Sequence, residues 1–280
     1  MQLDRYVRPA LGSLRLQELS TPVIQRRYTE MLAQGLSART VGLTHAILRR
    51  ALQVTVHCDK LPYNPAAGVE LPTKTRRPEG EADETEAGRF LKLAAEDRWG
   101  ALSTLLLTTG LRPSEATALK WADLDPAART LRVARTLKQV DGRWVFESPK
   151  KRNSRRQVAL AEGTMWALDT LPRTGELMFV GDGGKPVGLR SVSDYHYKPL
   201  PKRAGIDPSL RLYDLRHTHA TLLLVAGVNI KVVSERLGHA SVTITLNTYS
   251  HVLPTMQQER AAKLNALLFS GDGVEERPYN

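Results

Sequence analysis

The sequence predicts a mainly α protein with a small antiparallel sheet, an α+β fold in two domains. Apolar residues recur at spacings of three and four through most of the 280 residues, which is typical of amphipathic helices. Residues 130–160 instead alternate around the dipeptide Asp141-Gly142, a strong hairpin signal. Residues 71–81 combine two prolines, a glycine and a basic cluster, so we expect two domains to be joined there.

Residues 1–72 predict helices only. Thr21-Pro22 begins one helix, because proline suits the first helical position, and Gly35 ends it. Ser37 caps the next helix. Its apolar face is predicted to carry Val41, Leu43, Ala46, Ile47, Leu52 and Val56. Its other face is predicted to be basic, either as a solvated surface or as a surface for phosphate groups. The residues of that face are Arg39, His45, Arg49 and Arg50.

Residues 73–80 are the predicted linker, with the basic side chains Lys74, Arg76 and Arg77. The linker is either a plain surface loop or a basic tether along a polyanion. The second domain then covers residues 81–270. The polar residues 271–280 predict a disordered tail.

The second domain is predicted to begin with an acidic-start helix over residues 84–95, as the helix dipole prefers, and an apolar helix over 99–108. Gly110 then breaks the helical pattern, and Pro113 opens the next helix. Arg112 is therefore expected in a turn beside a helix start, which suits an anion. Glu115 either orients Arg112 through a charge-assisted hydrogen bond or complements the dipole.

Residues 130–160 predict a three-stranded antiparallel sheet, from the runs LRVARTL, WVFE and RQVAL. A basic loop, SPKKRNSRR, joins the last two strands. Its charges include Lys150, Lys151, Arg152 and Arg155. For any one of them, a solvated charge is the simple interpretation.

Two further helices are predicted, over residues 163–171 and 191–204. The second is basic through Lys198, Lys202 and Arg203, and we expect it to face an anionic partner. The glycine-rich run at 181–185 between them lacks the spacing of a nucleotide-binding P-loop.

Residues 213–252 organise the rest of the chain. Apolar spacing from Leu215 predicts a helix that Gly227 ends, and a second helix over residues 230–237 ends at Gly238. His239 is therefore expected in a turn, and Tyr249 follows ten residues later in a Thr-rich run. His217 and His219 lie two apart on the first helix and should point apart, which argues against a shared metal ion.

The net charge of +11 and the pI near 9.9 suit a polyanionic partner, or simply a basic protein. The single cysteine, Cys58, excludes a disulfide framework and a cysteine-based zinc site, and we expect it to be buried. The sequence has no apolar run of about 18 residues and no secretory signal at its start, so no membrane association is predicted.

Four blocks carry a resemblance: TGLRPSEATALKW, LRHTHAT, LGHAS and NTYSHV, in this order over residues 109–252. They resemble the tyrosine recombinase (phage integrase) family. The family's pattern is an arginine in the first turn, a hairpin lysine, a His-x-x-Arg box, a histidine or tryptophan in the LGH turn, and a tyrosine. The matching residues are Arg112, Lys150 (or Lys151), Arg216, His239 and Tyr249. The chain departs from the pattern at Tyr213, which stands where the family has histidine.

The resemblance implies a site-specific recombinase that cuts and rejoins DNA through a covalent 3′-phosphotyrosine on Tyr249. Arg112 and Arg216 would hold the nonbridging phosphate oxygens, His239 would donate to them, and Lys150 would be the general acid. Tyr213 would either hydrogen-bond the phosphate or be structural. No metal, ATP or other cofactor is implied. Two alternatives stay open: a type IB topoisomerase-like enzyme that nicks and reseals DNA, and a catalytically weak DNA-binding relative.

The resemblance also implies a helical core-binding domain over residues 1–72 and a catalytic domain over 81–270. Family members carry one more helix at the start of the first domain, often after an arm-binding domain, and residues 3–19 resemble the end of that helix. The partner would be double-stranded DNA with paired sites, bound by a homotetramer that can be monomeric without DNA. A helix after Pro254 would pack either on its own domain or on a neighbouring protomer. The protein would be cytoplasmic, bacterial or phage-encoded, and nucleoid-associated.

With this resemblance, the basic surfaces are predicted to bind DNA. The residues concerned are Arg39, Arg49, Arg50, Lys74, Arg76, Arg77, Lys151, Arg152, Arg155, Lys198, Lys202 and Arg203.

Overall fold

The computed structural model describes residues 2–73, 80–148, 155–250, 252, 264–265 and 268–269. The chain packs as two compact units, Met1–Pro78 and Glu79–Asn280, a division that falls within the predicted linker. The linker residues Lys74, Arg76 and Arg77 lie outside the described residues. So do the loop residues Lys150, Lys151 and Arg152, most of the predicted helix after Pro254, and the tail at 271–280.

The first unit is helical throughout its described residues. Its helices are α1 (Gln2–Tyr6), α2 (Arg8–Leu11), α3 (Thr21–Ala33) and α4 (Ala38–His57), with a 3-10 turn at Leu16–Glu18. Proline at the second position opens α3, and the Ser37 hydroxyl caps α4 by accepting from the Thr40 amide at 3.2 Å. The core forms where Ile24, Tyr28 and Met31 of α3 meet apolar residues of α4.

The buried face of α4 differs from the predicted one. It consists of Val41, Thr44, His45, Leu48 and Leu52, a regular spacing of three and four that includes the histidine. His45 is therefore not part of the basic face. Its Nδ1 lies 3.4 Å from the Tyr28 hydroxyl, and burial, with the charge of Arg49, lowers its pKa.

Two further expectations for this helix were wrong. Leu43 and Ile47, predicted to face the core, are exposed. Cys58, predicted to be buried, is exposed because it lies just beyond the end of α4. The three arginines Arg39, Arg49 and Arg50 are exposed, so they are available to a phosphate-bearing partner.

The second unit is mainly helical. Its helices are α5 (Glu84–Ala94), α6 (Gly100–Thr109), α7 (Pro113–Ala116), α8 (Glu162–Asp169), α9 (Leu189–Ser191), α10 (Pro199–Arg203), α11 (Leu215–Val225), α12 (Ile230–Leu237) and α13 (Val242–Tyr249). A π-helix (Val192–Tyr197) joins α9 to α10, and 3-10 turns lie at Trp121–Asp123, Asp182–Gly184 and Leu212–Asp214. The apolar α6 is the most buried of the described helices and forms the centre of the unit's core.

The strands form two small antiparallel sheets rather than the single three-stranded sheet predicted. They are β1 (Leu124–Asp125), β2 (Thr130–Val133), β3 (Thr136–Val140), β4 (Arg143–Glu147) and β5 (Arg156–Ala159). The first sheet has the order β1-β2-β5, and β3 pairs with β4 around the predicted Asp141-Gly142 turn. The run LRVARTL is thus divided at residues 134–135. There Arg135 turns aside to pair with the buried carboxylate of Asp123.

Within the described ranges, none of the helices has the length and apolar character needed to cross a membrane.

Candidate active site

Two glycine turns frame the site. Gly110 ends α6 with φ +66°, and Gly238 ends α12 with φ +67°, so both adopt the left-handed conformation that glycine allows. A Cβ atom on Gly110 would lie 2.5 Å from the His219 ring, and one on Gly238 would lie 2.8 Å from the Arg156 guanidinium. The backbone of each turn is therefore pressed against the polar side chains described below.

Arg216 joins the two turns. Its Nη1 donates to the Gly110 carbonyl at 2.6 Å, and its Nη2 donates to the Leu237 carbonyl at 2.7 Å. The side chain is only 2% exposed. Burial, and then the charge of Arg112, lowers the pKa of Arg216 to about 10, so it is still a cation at neutral pH. Two of its five N–H groups are occupied by these carbonyls, which leaves hydrogens for an incoming anion.

Glu115 pairs with two arginines. It accepts from the backbone amide and the Nη1 of Arg112, both at 2.9 Å, which supports the orienting role considered for it. It also accepts from Nη1 and Nη2 of Arg156, at 3.2 and 3.0 Å. Burial alone would raise the pKa of Glu115, but the hydrogen bonds and charge of Arg156, followed by those of Arg112, hold it below its usual value. Glu115 is thus a buried carboxylate that fixes Arg112 in its turn.

A buried histidine and a fourth arginine support the same turns. His219 contacts the Leu107 carbonyl through Nδ1 at 2.9 Å, and its Nε2 accepts from Arg236 at 3.1 Å. Burial, with the charge of Arg236, lowers the pKa of His219 to about 3, so the ring is neutral. Arg236 also donates to the carbonyls of Thr108 and Ala159, both at 3.0 Å, and so joins α12 to the end of α6 and to β5.

His239 follows the second glycine turn, as predicted, and is partly exposed. Its Nδ1 lies 2.7 Å from the Thr245 hydroxyl. The pKa of His239 is lowered to about 4, mainly by burial. The positive charges near the ring lower it further, and they belong to Arg216, Arg112, Arg156 and His217. A neutral ring can still donate from Nε2 when the threonine hydroxyl donates to Nδ1.

Tyr249 is the last residue of α13 and is 1% exposed. Its ring packs with Ala220, Leu224 and apolar residues of α12. Its hydroxyl lies 3.0 Å from Nδ1 of His217, the residue that follows Arg216 on α11. The phenol oxygen is therefore held by the helix that carries one of the predicted phosphate-binding arginines.

Tyr213 lies in the 3-10 turn before α11 and is 43% exposed. Its ring contacts the same histidine: the Tyr213 and His217 centroids are 5.5 Å apart, and those of His217 and Tyr249 are 5.9 Å apart. The position that departs from the family pattern is thus next to the others.

The four predicted DNA-binding residues of this unit that the structure describes are on its surface. Arg155 is exposed immediately before β5, and Lys202 is exposed on α10. Lys198 pairs with Asp194 at 2.6 Å, and Arg203 pairs with Glu96 at 3.1 Å, so these two cations are partly neutralised.

Four site residues were missed by the sequence interpretation: Arg156, His217, His219 and Arg236. The two histidines were considered as metal ligands, a role that was rejected, and His219 was otherwise assigned only to the apolar face of its helix. Their rings do point apart, as expected, because they contact Tyr249 and Leu107 respectively. Arg156 was treated as one charge among several in a basic loop, although its side chain is 7% exposed. Arg156 is the first residue of β5 and pairs with the buried carboxylate of Glu115. A sequence pattern does not contain this information.

The site carries a strong excess of positive charge. Arg112 and Arg156 pair with the carboxylate of Glu115, the charge of Glu115 also acts on Arg216, and a further cation, Arg236, interacts with Arg156. No group of three or more His, Cys, Asp or Glu side chains that could hold a metal ion is found in the described part of the chain. Such an arrangement suits an anion with several oxygens, and a phosphate diester has the geometry that guanidinium groups recognise.

Comparison with known proteins agrees with this geometry. Residues 83–256 match the model of the phage integrase family. The chain is 30% identical over 256 residues to the ICEBs1 integrase of Bacillus subtilis, covering 85% of this chain and 68% of that protein. It is 29% identical over 289 residues to a XerC-like tyrosine recombinase of Caldanaerobacter subterraneus, covering 92% and 73%.

Solved structures share the fold. The Tn1549 transposon integrase, in complex with transposon right end DNA, superposes with a TM-score of 0.82 at 22% identity, covering 95% of this chain and 93% of that one. A lambda integrase dimer bound to a core site gives 0.65 at 19% identity, covering 88% and 69%.

The chain belongs to the phage integrase family. It is a tyrosine-type site-specific recombinase, an enzyme of DNA recombination. The relatives named here are integrases and recombinases, and none of them favours the topoisomerase alternative.

Proposed function

We propose that this chain recombines DNA by forming a covalent bond between Tyr249 and the 3′-phosphate of a cut strand. The observation that carries the proposal is the position of the Tyr249 hydroxyl, 3.0 Å from a side chain that directly follows the buried Arg216. The nucleophile of α13 is thereby held against α11, the helix that carries a phosphate-binding cation. The excess positive charge of the surrounding site supplies the electrostatic reason for binding a phosphodiester.

The proposed roles follow from the geometry. Arg112, fixed by Glu115, and the remaining N–H groups of Arg216 hold the nonbridging oxygens, and neutral His239 donates to them through Nε2. Charge that accumulates on these oxygens in the transition state is then stabilised by donors already in place. Because Tyr249 is 1% exposed, the attack requires the end of α13 to open towards the DNA.

The leaving group is the 5′-oxygen of the cut strand, and we assign its protonation to Lys150, with Lys151 as the alternative. The sequence around these lysines, SPKKRNSRR, is rich in cations, and neighbouring cations make a lysine a better acid. The phosphotyrosine bond conserves the energy of the original phosphodiester. A 5′-hydroxyl from another duplex can therefore reverse the reaction without ATP, and this exchange is recombination.

We propose double-stranded DNA with paired sites as the substrate and a homotetramer as the active assembly. The DNA in the similar structures supports the first part, and so do the exposed arginines Arg39, Arg49 and Arg50 of the first unit. Such contacts position a protein on the phosphate backbone without selecting a sequence. The work would take place at the nucleoid of a bacterium.

Nicked duplexes test the proposal. A nick close to the cleavage point releases a short fragment after cutting, which prevents rejoining and traps the covalent adduct. Because the target sequence is not known in advance, the substrates are nicked DNA fragments prepared from the host chromosome. The covalent adduct is detected as a protein–DNA band that survives detergent. We expect an adduct with wild type and with Tyr63→Phe, an exposed tyrosine of the first unit, and none with Tyr249→Phe.

An adduct formed by Tyr249→Phe would overturn the assignment of the nucleophile. DNA retention without any adduct in wild type would indicate a binding protein instead. Relaxation of supercoiled plasmids that lack any sequence at which an adduct was trapped would support the topoisomerase alternative.

A further inference from the structure

His217 occupies a position that the proposed roles leave unused. It lies on α11, and its Nδ1 is 3.0 Å from the Tyr249 hydroxyl. This hydrogen bond joins a titratable side chain directly to the proposed nucleophile. The His217 ring also contacts both phenol rings, with centroids 5.5 Å from Tyr213 and 5.9 Å from Tyr249.

A phenol needs help to attack phosphorus at neutral pH. With an ordinary pKa of about 10, roughly one phenol in a thousand is ionised at pH 7. A base that is within hydrogen-bond distance of the phenol oxygen removes this limitation. Another phenol is a poor base for this purpose. Arg216 is a cation at neutral pH, and Nδ1 of His239 faces the Thr245 hydroxyl.

We infer that His217 is the general base that takes the proton of Tyr249 as the DNA strand is cut. The inference rests on the function proposed above. In the step, the Tyr249 O–H proton passes to Nδ1 of His217, and the phenol oxygen forms a bond to phosphorus. The bond from phosphorus to the 5′-oxygen breaks, and that oxygen keeps the electron pair and takes a proton from the hairpin lysine. In rejoining, His217 returns its proton to the departing Tyr249.

The described groups that interact with His217 include Tyr249 of α13, Tyr213 of the 3-10 turn, and His239 after α12, whose pKa is lowered in part by the charge of His217. Arg216 precedes His217 on the same helix. The ring is therefore a titratable group that connects the nucleophile to the cationic site. The competing explanation is that His217 only positions the phenol through a hydrogen bond.

His217→Asn separates the two explanations. Its side-chain oxygen can accept a hydrogen bond near the place of Nδ1, but the amide takes no proton at neutral pH. We measure single-turnover cleavage of a nicked duplex across pH 5.5–9, with DNA binding and thermal unfolding as controls for folding. If His217 is the base, cleavage falls about 100-fold or more at pH 7 while DNA binding is retained. The variant's rate should also rise steadily with pH, without the plateau expected for wild type.

A second substrate identifies which proton is involved. In a duplex with sulfur at the 5′-bridging position, the leaving group needs no proton. His217→Asn should stay slow on this substrate relative to wild type, whereas Lys150→Ala should recover. The exposed histidine variant His57→Gln is the matched control and should cleave like wild type. If His217→Asn loses DNA binding or folding, His217→Gln replaces it.

Three results would overturn the inference and leave the proposed function intact. One is cleavage by His217→Asn within about threefold of wild type, which would mean positioning alone. The second is recovery of that variant on the sulfur substrate, which would assign His217 to the leaving group. The third is a plateau in the variant's pH profile that matches wild type. Failure of the wild-type protein to form any adduct would instead reject the proposed function itself.

Discussion

The site contains two layers whose polar residues have different partners. The reaction layer consists of Arg112, Tyr213, His217, His239 and Tyr249, which are directed at one another or have side-chain surface to offer to a phosphate. The support layer consists of Glu115, Arg156, His219 and Arg236, whose described hydrogen bonds are with backbone carbonyls, with each other and, for Glu115, with Arg112 of the reaction layer. Arg216 belongs to both.

Resemblance to a family identifies the reaction layer, whereas the support layer is recognised only from the three-dimensional structure. It also predicts a difference in behaviour. Substitutions in the support layer should lower stability as well as activity, because they leave buried polar groups without partners. Substitutions in the reaction layer should lower cleavage with little change in the free energy of unfolding.

Glu115→Gln should have the largest effect. It removes the carboxylate that the buried Arg156 and the half-buried Arg112 share, and uncompensated buried charge is costly. We expect the free energy of unfolding to fall by about 4 kcal/mol in urea titrations. Glu176→Gln, which breaks an exposed pair with Lys120, should leave unfolding unchanged within error. Equal stability of the two variants would show that the support layer is not a stabilising unit.

Gly110→Ala should have the next largest effect. The added Cβ would meet the His219 ring at 2.5 Å and the Leu237 side chain at 2.7 Å, on a backbone with φ +66°. Strain and overpacking together should cost about 3 kcal/mol. The matched control is Gly142→Ala in the β3–β4 turn, where φ is +77° and nothing lies within 4 Å of the Cβ. We expect about 1 kcal/mol there, so the difference measures the contact with the support layer.

Acid should weaken the support layer next. The pKa of His219 is about 3 in the folded chain and about 6.5 when unfolded. Below pH 6.5 the unfolded chain therefore binds a proton that the folded chain does not, and stability falls as pH falls. Between pH 7 and pH 5 this histidine should cost about 2 kcal/mol. In urea titrations, the free energy of unfolding of His219→Gln should fall by about 2 kcal/mol less between pH 7 and pH 5 than that of wild type. The exposed variant His57→Gln should follow wild type, and parallel curves for all three proteins would contradict the assignment.

The fold was predictable as far as local signals reach. Helical spacing identified the two glycine-ended helices α6 and α12, because a helix followed by glycine is encoded within about a dozen residues. The single three-stranded sheet was wrong because the break at residues 134–135 depends on a distant acid, Asp123, that binds Arg135. The face of α4 was misjudged because a histidine was assumed to be exposed, although it fits the buried spacing.

The site divides in the same way. Arg216 and Tyr249 were identified from blocks that resemble a family, and the structure brings their neighbourhoods together through His217. His219 contacts a carbonyl 112 residues away, and Arg156 contacts a carboxylate 41 residues away. Periodicity and motif spacing carry no information about such pairs. The sequence therefore did not distinguish Arg156, which is buried, from the exposed Arg155 beside it in the same basic run.

Tyr213→Phe should have the smallest effect of the four. The side chain is 43% exposed, and its ring already contacts His217, so phenylalanine keeps the packing and loses only the hydroxyl. If that hydroxyl donates to a phosphate oxygen, its loss removes one hydrogen bond to a charged group, worth about 1.5 kcal/mol, or about tenfold in the cleavage rate. The free energy of unfolding should not change. Single-turnover cleavage of the nicked duplex measures the rate, with urea unfolding alongside. Equal rates for Tyr213→Phe and wild type would assign Tyr213 a packing role and leave His217 as the group that distinguishes this site.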